Sequence, residues 1–471
     1  MSQQLVWFRN DLRIKDNPAL FHACQAEQAV TAIYIATPHQ WQKHDDAAVK
    51  IDFWRRNLFE LQQDLAKLNI QLHFFEEDSY QQIPDLIATI FQQWQINQLY
   101  FNQEYQANEQ QRDQAVMERC QKIGLSYQHY HDQLLLPPAS LRTKAGTPFK
   151  VFTPFSKHAR RHLLNSFHIY PAPEPCKKTT VDKLKHQCDL REISWPTVSK
   201  SLYNFWPAGE QKAIARLAEF FQQPIRSYQN NRNLPAVLGT SRLSPYLASG
   251  IISIRQCWQA SEQYGEVNTD IHIWQNELLW REFYKHTLID YPQVSRHKPW
   301  KIQTEQIEWR HDGEQLSAWQ QGKTGFPLID AAMRQLLTQG WMHNRLRMIV
   351  AMFLTKHLLI DWRLGERWFM QHLIDGDLAA NNGGWQWCAS TGTDAVPYFR
   401  IFNPVTQSQR FDPKGTFIRH YLPELAHLSD KEIHLPNVKN KPENYPEPIV
   451  DLKVCRIRAL SAFKKLKQNV N

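Results

Sequence analysis

Several features that would assign this chain to a familiar class are missing. Its longest apolar run, residues 348–360, contains Lys356 and His357 and falls short of the roughly 18 residues that a membrane span needs. Charge at Arg9 and Asp11 comes before a secretory signal could form its apolar segment, so we expect a cytoplasmic protein with no membrane association. The seven cysteines are odd in number and include no Cys-x-x-Cys, which favours reduced, structural thiols.

Three short ligand-binding motifs are also absent. Gly-Lys-Thr at 322–324 invites a P-loop interpretation, but Ser317 occupies the position of the first glycine. Residues 375–377 could open a calcium loop, but Gln386 stands where the loop needs glutamate. No Gly-x-Gly-x-x-Gly follows a predicted strand, which excludes dinucleotide binding of the Rossmann kind. The sequence therefore predicts no metal site and no phosphate loop of these types.

Charge and tryptophan are unevenly distributed along the 471 residues. The net charge of +9 combines −5 over residues 1–130 with +14 over residues 131–471, so we expect an anionic partner to bind the later part. Eleven of the 17 tryptophans lie between Trp258 and Trp387. Apolar residues make up 42% of the chain, which is enough for sizeable cores.

Periodicity predicts an α/β domain with a parallel, doubly wound sheet over residues 1–131. Short β-rich runs alternate there with helical segments, and residues 16–18 supply a helix cap followed by proline. The predicted strands are 5–8, 30–36, 70–75, 98–101 and 125–130, and the predicted helices are 46–68, 82–94 and 109–122.

The rest of the chain loses this alternation. Residues 132–200 carry eight prolines and are predicted to be a long interdomain linker, with a short helix near 155–164. Residues 201–471 show mainly helical periodicity and are predicted to form a mostly α-helical C-terminal domain. Its clearest helices are predicted at 213–221, 274–289, 327–339 and 343–360.

Four segments of the later part carry residues suited to a ligand. Residues 240–244 offer three hydroxyls and a guanidinium, which suit phosphate oxygens, although a plain helix N-cap is an alternative. On a helix, Glu277, Trp280, Arg281 and Tyr284 share one face that could stack a base and pair with its edge. The alternative is a solvated Glu277–Arg281 ion pair with Trp280 in the core.

The other two segments lie further along. Residues 341–348 place Asn344 and Met348 one turn apart, and the arginines beside them could contact phosphates; core packing is the alternative. Residues 375–387 combine two carboxylates, two amides, small residues and two tryptophans that follow a double glycine. Small residues allow the backbone to approach a ligand closely, and the polar groups suit a flat heterocycle.

Together these segments resemble the photolyase/cryptochrome family, nearly from end to end. The carrying motifs are 7–13 with Asp16 and Asn17, then 239–244, 276–283, 340–345 and 375–387, in the family's order. The resemblance implies reduced FAD held in the helical domain, with Asn381 facing the flavin N5. The implied FAD-binding residues are Tyr228, Thr240, Ser241, Arg242, Leu243, Ser244, Trp274, Glu277, Arg281, Asn344, Asp375, Gly376, Asp377 and Asn381.

The resemblance also implies light-dependent DNA repair, in which excited reduced FAD donates an electron to a cyclobutane pyrimidine dimer and splits it. The implied catalytic residues are Glu277, Trp280, Asn344, Met348, Asn381 and Trp387. Trp385, Trp362 and Trp309 would carry electrons between flavin and surface, in that order. The implied DNA contacts are Arg232, Glu277, Trp280, Arg281, Tyr284, Asn344, Arg345, Arg400 and Gln407.

Asn344 and Met348 stand where the (6-4) branch of the family has histidines, so the chain resembles the bacterial class I branch of the folate type. A 5,10-methenyltetrahydrofolate antenna is implied by His44, Asn108 and Glu109, with Arg296 replacing a lysine of the family. The partner would be UV-damaged DNA, single- or double-stranded, bound by a monomer that needs no protein partner. A blue-light photoreceptor without repair activity is the alternative function.

Overall fold

The structure is a computed structural model that describes residues 3–163, 168–265, 268–437 and 439–468. Its single sheet has the strand order β5-β4-β1-β2-β3-β6, and all pairings among the first five strands are parallel. The strands are β1 Gln3–Phe8, β2 Ala29–Ala36, β3 Gln71–Glu76, β4 Ile96–Asn102, β5 Ser126–Tyr130 and β6 Gln187–Cys188. The predicted parallel sheet is confirmed.

Helices follow the strands and cover both faces of the sheet. They are α1 Pro18–Gln25, α2 Pro38–Lys43, α3 Ala48–Lys67, α4 Ile83–Trp94 and α5 Ala107–Ile123. The first of them begins at the predicted cap, because the Asn17 side chain accepts a hydrogen bond from the Leu20 N–H at 3.2 Å and Pro18 follows it. Asp16, which follows β1, and Asp132, which follows β5, both contact Arg255 of the helical part, so the carboxyl ends of these two strands face that part.

The predicted linker packs closely onto the rest of the molecule. It forms α6 Phe152–Leu163 where a short helix was predicted, and its residues Gln187–Cys188 add the antiparallel edge strand β6 beside β3. This two-residue strand was not predicted from the sequence. It is too short to produce a periodic pattern.

The later part is helical, as predicted, and its helices surround a second core. They are α7 Leu202–Phe205, α8 Glu210–Gln222, α9 Tyr228–Asn231, α10 Ser244–Ala248, α11 Ile254–Gln263, α12 Thr269–Asp290, α13 Gly313–Gln320, α14 Pro327–Gln339, α15 Asn344–Met352, α16 Trp362–Met370, α17 Leu378–Ala389, α18 Pro404–Phe411, α19 Thr416–Tyr421 and α20 Leu452–Gln468. The helix predicted over 343–360 is instead α15 followed by a π-helix, Phe353–Leu358. No helix in the described ranges is long and apolar enough to cross a membrane.

A buried charge network joins the two parts of the chain. The Arg255 guanidinium contacts Asp16 Oδ2 and Asp132 Oδ1, each at 2.8 Å, and Arg13 also pairs with Asp132. All four side chains are buried. One hydrophobic cluster runs from the sheet through α3 into α12, so the boundaries predicted at 131 and 200 are not visible as gaps in packing and stay predictions.

Candidate functional site

Residues 240–244 lie beside residues 341–345. The Arg242 guanidinium lies over the Trp341 ring, 5.3 Å from its centroid, and the Trp341 indole N–H donates to the Ser244 hydroxyl at 3.2 Å. The plain N-cap alternative fails, because the residue before α10 is Leu243 and no side chain caps that helix. The segment is therefore available to a ligand.

Arg242 has two features that cost free energy. Its φ is 51°, a left-handed conformation that side chains other than glycine rarely adopt, and its guanidinium is half-buried without a carboxylate partner among the described residues. Burial lowers its pKa, and the neighbouring Arg216 lowers it further. A strained, unpaired, half-buried cation is typical of a site that holds an anion.

Glu277 and Arg232 form an ion pair at 2.7 Å. The Glu277–Arg281 pair considered as an alternative is wrong, because Arg281 instead donates to the Gln133 carbonyl at 2.6 Å. Burial raises the pKa of Glu277, although its side chain remains 30% exposed. A carboxylate that is both desolvated and accessible faces an opening rather than a packed core.

Tyr228 and Trp274 form a wall behind this pair. Both are buried, and both pack on Phe220, with ring centroids 5.7 Å and 5.3 Å from it. The Arg232 guanidinium lies 5.7 Å from the Tyr228 ring centroid. These contacts fix the position of Arg232 and thereby that of Glu277.

Asp375 and Asp377 are each bound to a partner cation. Arg347 donates to both oxygens of Asp375, at 3.1 Å and 2.8 Å, and Lys285 donates to Asp377 at 2.8 Å. Burial by itself would raise the pKa of Asp377, but Lys285 and Arg281 lower it overall. The carboxylates therefore hold the start of α17 in place, and the buried Gly376 lies between them.

The α17 helix has one packed face and one open face. A Cβ at Gly383 would lie 2.2 Å from the Tyr284 ring, so this face touches α12, whereas a Cβ at Gly384 would meet no atom within 4 Å. Asn381, one turn before Gly384, donates its amide N–H to the Glu366 carbonyl at 2.9 Å, and its Oδ1 accepts no hydrogen bond from the described residues. We call the open space beside Gly384 the central recess.

Trp280 and Trp387 are both half-buried. One face of the Trp280 ring is covered by Phe152 of the linker, with centroids 3.8 Å apart and an interplanar angle of 5°. Only its other face could therefore stack on a base. Tyr284 packs beside Trp280, with ring centroids 5.6 Å apart.

The structural elements that carry Trp385, Trp362 and Trp309 contact one another in that order. The Trp385 ring occupies the space where a Cβ at Gly365 would lie, and Gly365 is one turn from Trp362 on α16. The chain at Arg310, next to Trp309, forms a bridge to Ile360, close to Trp362. Trp385 and Trp362 are buried whereas Trp309 is half-buried, so the series runs from interior to surface.

Arginines line the opening near Glu277. Arg345 donates to the Asn233 side chain at 2.7 Å, and Met348 Sδ lies 3.7 Å from its Nη1. Burial lowers the pKa of Arg345, and the charges of Arg232 and Arg410 lower it further, with a smaller effect from Arg400. We call Arg232, Arg345, Arg400 and Arg410 the arginine rim. Asn344 and Arg400 are exposed, and Gln407 is half-buried on α18.

His343 sits among these cations at the start of α15. Its Nδ1 accepts a hydrogen bond from the Arg345 N–H at 3.1 Å, and its buried Nε2 has no partner in the described ranges. Burial, together with the Arg242 and Arg345 charges, lowers its pKa to about 3. His343 is therefore neutral near pH 7.

His343→Asn is expected to weaken the acid sensitivity of the fold. The folded pKa of about 3 lies below the unfolded value, so His343 destabilises the folded state as pH falls below about 6.5. At pH 5 this cost is about 2 kcal/mol. Asparagine keeps the capping acceptor and does not titrate. Urea unfolding at pH 7 and pH 5 should show a drop in stability about 2 kcal/mol smaller in the variant; an equal drop would contradict this role of His343.

The predicted antenna residues line a cavity of about 340 Å³ between the sheet and the helical part. His44 Nε2 lies 2.9 Å from the Asn108 amide nitrogen, and His44 Nδ1 lies 3.5 Å from Glu109 Oε1. Arg296 lines the opposite wall, is exposed and makes no ion pair within the described part of the chain. All four predicted residues therefore meet at one cavity, which also reaches Gly376.

This cavity contains buried polar atoms with no hydrogen-bond partner among the described residues. They are Trp7 Nε1, Arg9 Nε, Trp54 Nε1, Glu109 Oε2 and Ser295 Oγ. Two indole donors, a carboxylate acceptor and a hydroxyl fit a flat heterocycle that has both donors and acceptors. The burial of unpaired groups costs free energy, which a ligand of this kind would recover.

Several residues that shape these sites were not predicted from the sequence. Lys285 could have been found, because it lies one turn after Arg281 on the same helix. No local sequence signal marks Phe152, Glu366 or Trp54. Each of them either contacts a residue that is remote in sequence or lies outside every motif.

Comparison with known proteins identifies the family of this chain. The family model described as DNA photolyase matches residues 4–177, and the one described as FAD binding domain of DNA photolyase matches residues 274–465. The chain is 43% identical to a deoxyribodipyrimidine photo-lyase of Vibrio cholerae, over 98% of this chain and 100% of that protein. It is 42% identical to the protein of the same name from Escherichia coli, over 98% and 99%.

Solved structures give the same result. A bacterial class III photolyase from Agrobacterium tumefaciens superposes with a TM-score of 0.86 at 34% identity, covering 99% of this chain and 98% of that one. A Synechocystis cryptochrome reaches a TM-score of 0.86 at 28% identity, over 98% and 99%. Relatives above 40% identity over nearly the whole length show membership: the chain belongs to the DNA photolyase family, and its activity is light-dependent, FAD-based repair of DNA.

Proposed function

We propose that the central recess and the 240–244 segment together hold FAD. Arg242 and the hydroxyls of residues 240–244 would bind the phosphates, and the Asn381 Oδ1 would accept a hydrogen bond from the flavin N5. When bound in its reduced form and excited by near-UV or blue light, FAD supplies the single electron that splits the dimer. The protein positions this group and excludes water from it.

The observation that carries this proposal is the convergence of four remote segments. Trp341 joins residues 240–244, Arg345 joins Asn233, Arg347 joins Asp375, and Lys285 joins Asp377, each through a side-chain hydrogen bond. When these segments are held together, Arg242 has no carboxylate partner among the described residues, and Gly384 lies beside open space. A structural role would need neither feature.

We propose further that a cyclobutane pyrimidine dimer leaves the DNA stack and enters beside Glu277. The open face of Trp280 would stack on one base, with Trp387, Asn344 and Met348 around it. Extrusion costs less for a dimer, because it stacks poorly, and this difference is a source of selectivity. The arginine rim would bind the phosphates of the damaged strand, which makes the affinity sensitive to salt.

The cavity near His44 is proposed to hold a 5,10-methenyltetrahydrofolate antenna. Glu109 Oε2 and the indole donors support binding of the pterin ring, and Arg296 supports binding of an anionic tail. We also propose that the protein acts as a monomer without a protein partner. Size-exclusion chromatography with light scattering, with and without DNA, tests the monomer.

Repair of a thymine-dimer oligonucleotide by the reduced holoprotein tests the function. Single- and double-stranded substrates should both regain intact thymines under near-UV or blue light, and neither should in matched darkness. Repair in neither condition, with FAD bound, would favour a photoreceptor without repair activity. No comparison favours that alternative, because the relatives above 40% identity are named as lyases.

Trp280→Ala is expected to reduce the preference for dimer-containing over undamaged DNA by about 5- to 150-fold, because stacking on one base contributes about 1–3 kcal/mol. Trp280→Phe should keep most of the preference, since it retains a ring that can stack on both Phe152 and a base. Fluorescence anisotropy with both DNAs measures the two affinities. Unchanged preference in Trp280→Ala would remove Trp280 from the lesion site.

A further inference from the structure

Glu366 lies directly behind the proposed flavin contact. Its side chain is 1% exposed, and its Oε1 accepts a hydrogen bond from the Asn382 amide at 2.8 Å. Its backbone carbonyl accepts the Asn381 amide at 2.9 Å. One buried residue therefore orients two successive amides of α17.

The second oxygen of this carboxylate faces an imidazole. Glu366 Oε2 lies 2.9 Å from His297 Nδ1, and the His297 side chain is 51% exposed at the antenna cavity. The backbone of His297 has φ 56°, a left-handed conformation that is uncommon for residues other than glycine. An ordinary surface ion pair requires neither a left-handed backbone nor a buried carboxylate. The His297–Glu366 pair has both, which indicates a specific role for it.

Charged groups on α16 and just after α2 act on His297. The hydrogen bond to Glu366 raises the His297 pKa, partial burial opposes it, Arg367 lowers it and Asp45 raises it. Asp45 and Arg367 pair with each other at 3.3 Å, and Arg363 donates to the His297 carbonyl at 2.8 Å. Glu366 is thus the one carboxylate in direct contact with the imidazole among the described residues.

We propose that His297 and Glu366 are positioning residues that tune the flavin through the net charge of their pair. When His297 is protonated the pair is neutral, and when His297 is neutral the pair carries one negative charge behind Asn381. A negative charge there disfavours the reduced, more negative flavin. The inference rests on the proposed placement of FAD beside Asn381.

The test is the midpoint potential of the bound FAD, measured across pH in the holoprotein. The wild-type potential should fall more steeply than that of His297→Asn as pH rises through the His297 pKa, which lies above about 6.5. His297→Asn suits the left-handed backbone and leaves the pair negative at every pH. Its potential should lie below the wild type at low pH and converge with it at high pH.

Glu366→Gln should act in the opposite direction. It removes the negative charge, so its potential should exceed that of the wild type above the wild-type His297 pKa, where the wild-type pair is negative and the variant pair is neutral. Glutamine keeps a carbonyl acceptor for the Asn382 amide, and the backbone contact to Asn381 is unchanged. His420→Asn, the same substitution at an exposed histidine on α19, is the matched control and should not move the potential.

The outcomes separate this inference from the proposed function. Shifts of the same sign in the two variants, or none, would overturn it, provided that FAD remains bound. Failure to bind FAD in the wild type would instead contradict the proposed function. NMR titration of the His297 imidazole adds a readout that needs no flavin: its pKa should fall in Glu366→Gln, and an unchanged pKa would contradict the pairing.

Discussion

Replacing Arg255 with methionine is expected to lower the free energy of unfolding by about 3–5 kcal/mol. That is a large share of the roughly 5–15 kcal/mol that stabilises a typical protein. The reason is the partners that remain: Asp16 and Asp132 are 0% and 2% exposed, and each contacts the guanidinium at 2.8 Å. Methionine fills a similar volume but leaves both carboxylates short of a positive charge.

Chemical unfolding followed by tryptophan fluorescence measures this effect. Arg119→Met is the matched control, because Arg119 and Asp85 form an ion pair at 3.1 Å whose side chains are 40% and 79% exposed. Exposed pairs of this kind contribute about 0–1 kcal/mol. If Arg255→Met lowered the free energy of unfolding no more than this control does, the buried network would not hold the sheet to the helical part.

The pH dependence adds a second check. Burial would raise the pKa of Asp132, but Arg13 and Arg255 lower it overall. A depressed carboxyl pKa contributes stability that is present above the unfolded value of about 4 and is lost as pH falls below it. The difference between wild type and Arg255→Met should therefore narrow below about pH 4. A constant difference would mean that the cost is lost packing and not charge.

The fold was predictable where its signal is local. The strand predicted at 30–36 is Ala29–Ala36, and the helix predicted at 327–339 is Pro327–Gln339, because side-chain periodicity reports each element directly. The π-helix Phe353–Leu358 was not predictable, since its residues continue the apolar pattern of α15. Strand β6 was missed because it depends on the edge of β3, more than 100 residues away.

The site was predictable as a set of segments and not as a set of contacts. Residues 240–244 and 341–348 were assigned by motif, and the structure places them together. The partner of Glu277 was not predictable, because local spacing favours Arg281, whereas the tertiary structure supplies Arg232. The Phe152 ring on Trp280 comes from the linker, where no pattern marks it.

Trp362→Phe is expected to slow photoreduction of the bound flavin by roughly an order of magnitude or more. Indole can be oxidised readily and phenyl cannot, so the substitution breaks the proposed series between Trp385 and Trp309. Phenylalanine keeps an aromatic ring in this buried position, which limits the packing loss. Time-resolved absorption after a light pulse measures the rate.

Repair separates this electron path from the lesion chemistry. Trp362 is buried on α16 and is not among the proposed lesion or DNA contacts, so protein reduced chemically beforehand should repair dimers at the wild-type rate. Trp319→Phe is the matched control: Trp319 is 0% exposed, and its ring centroid lies 6.0 Å from that of Trp385. It lies outside the proposed series, so its loss should leave photoreduction intact.

The pair of variants distinguishes a path from mere packing. Equal slowing in both would mean that disturbance around Trp385, and not loss of a hopping site, controls the rate. A normal rate in Trp362→Phe would mean that the series is wrong and that electrons reach the flavin by another route. A third outcome is slower photoreduction in Trp362→Phe alone, with unchanged repair by pre-reduced protein. It would show that the buried tryptophans supply electrons to the flavin and take no part in repair itself.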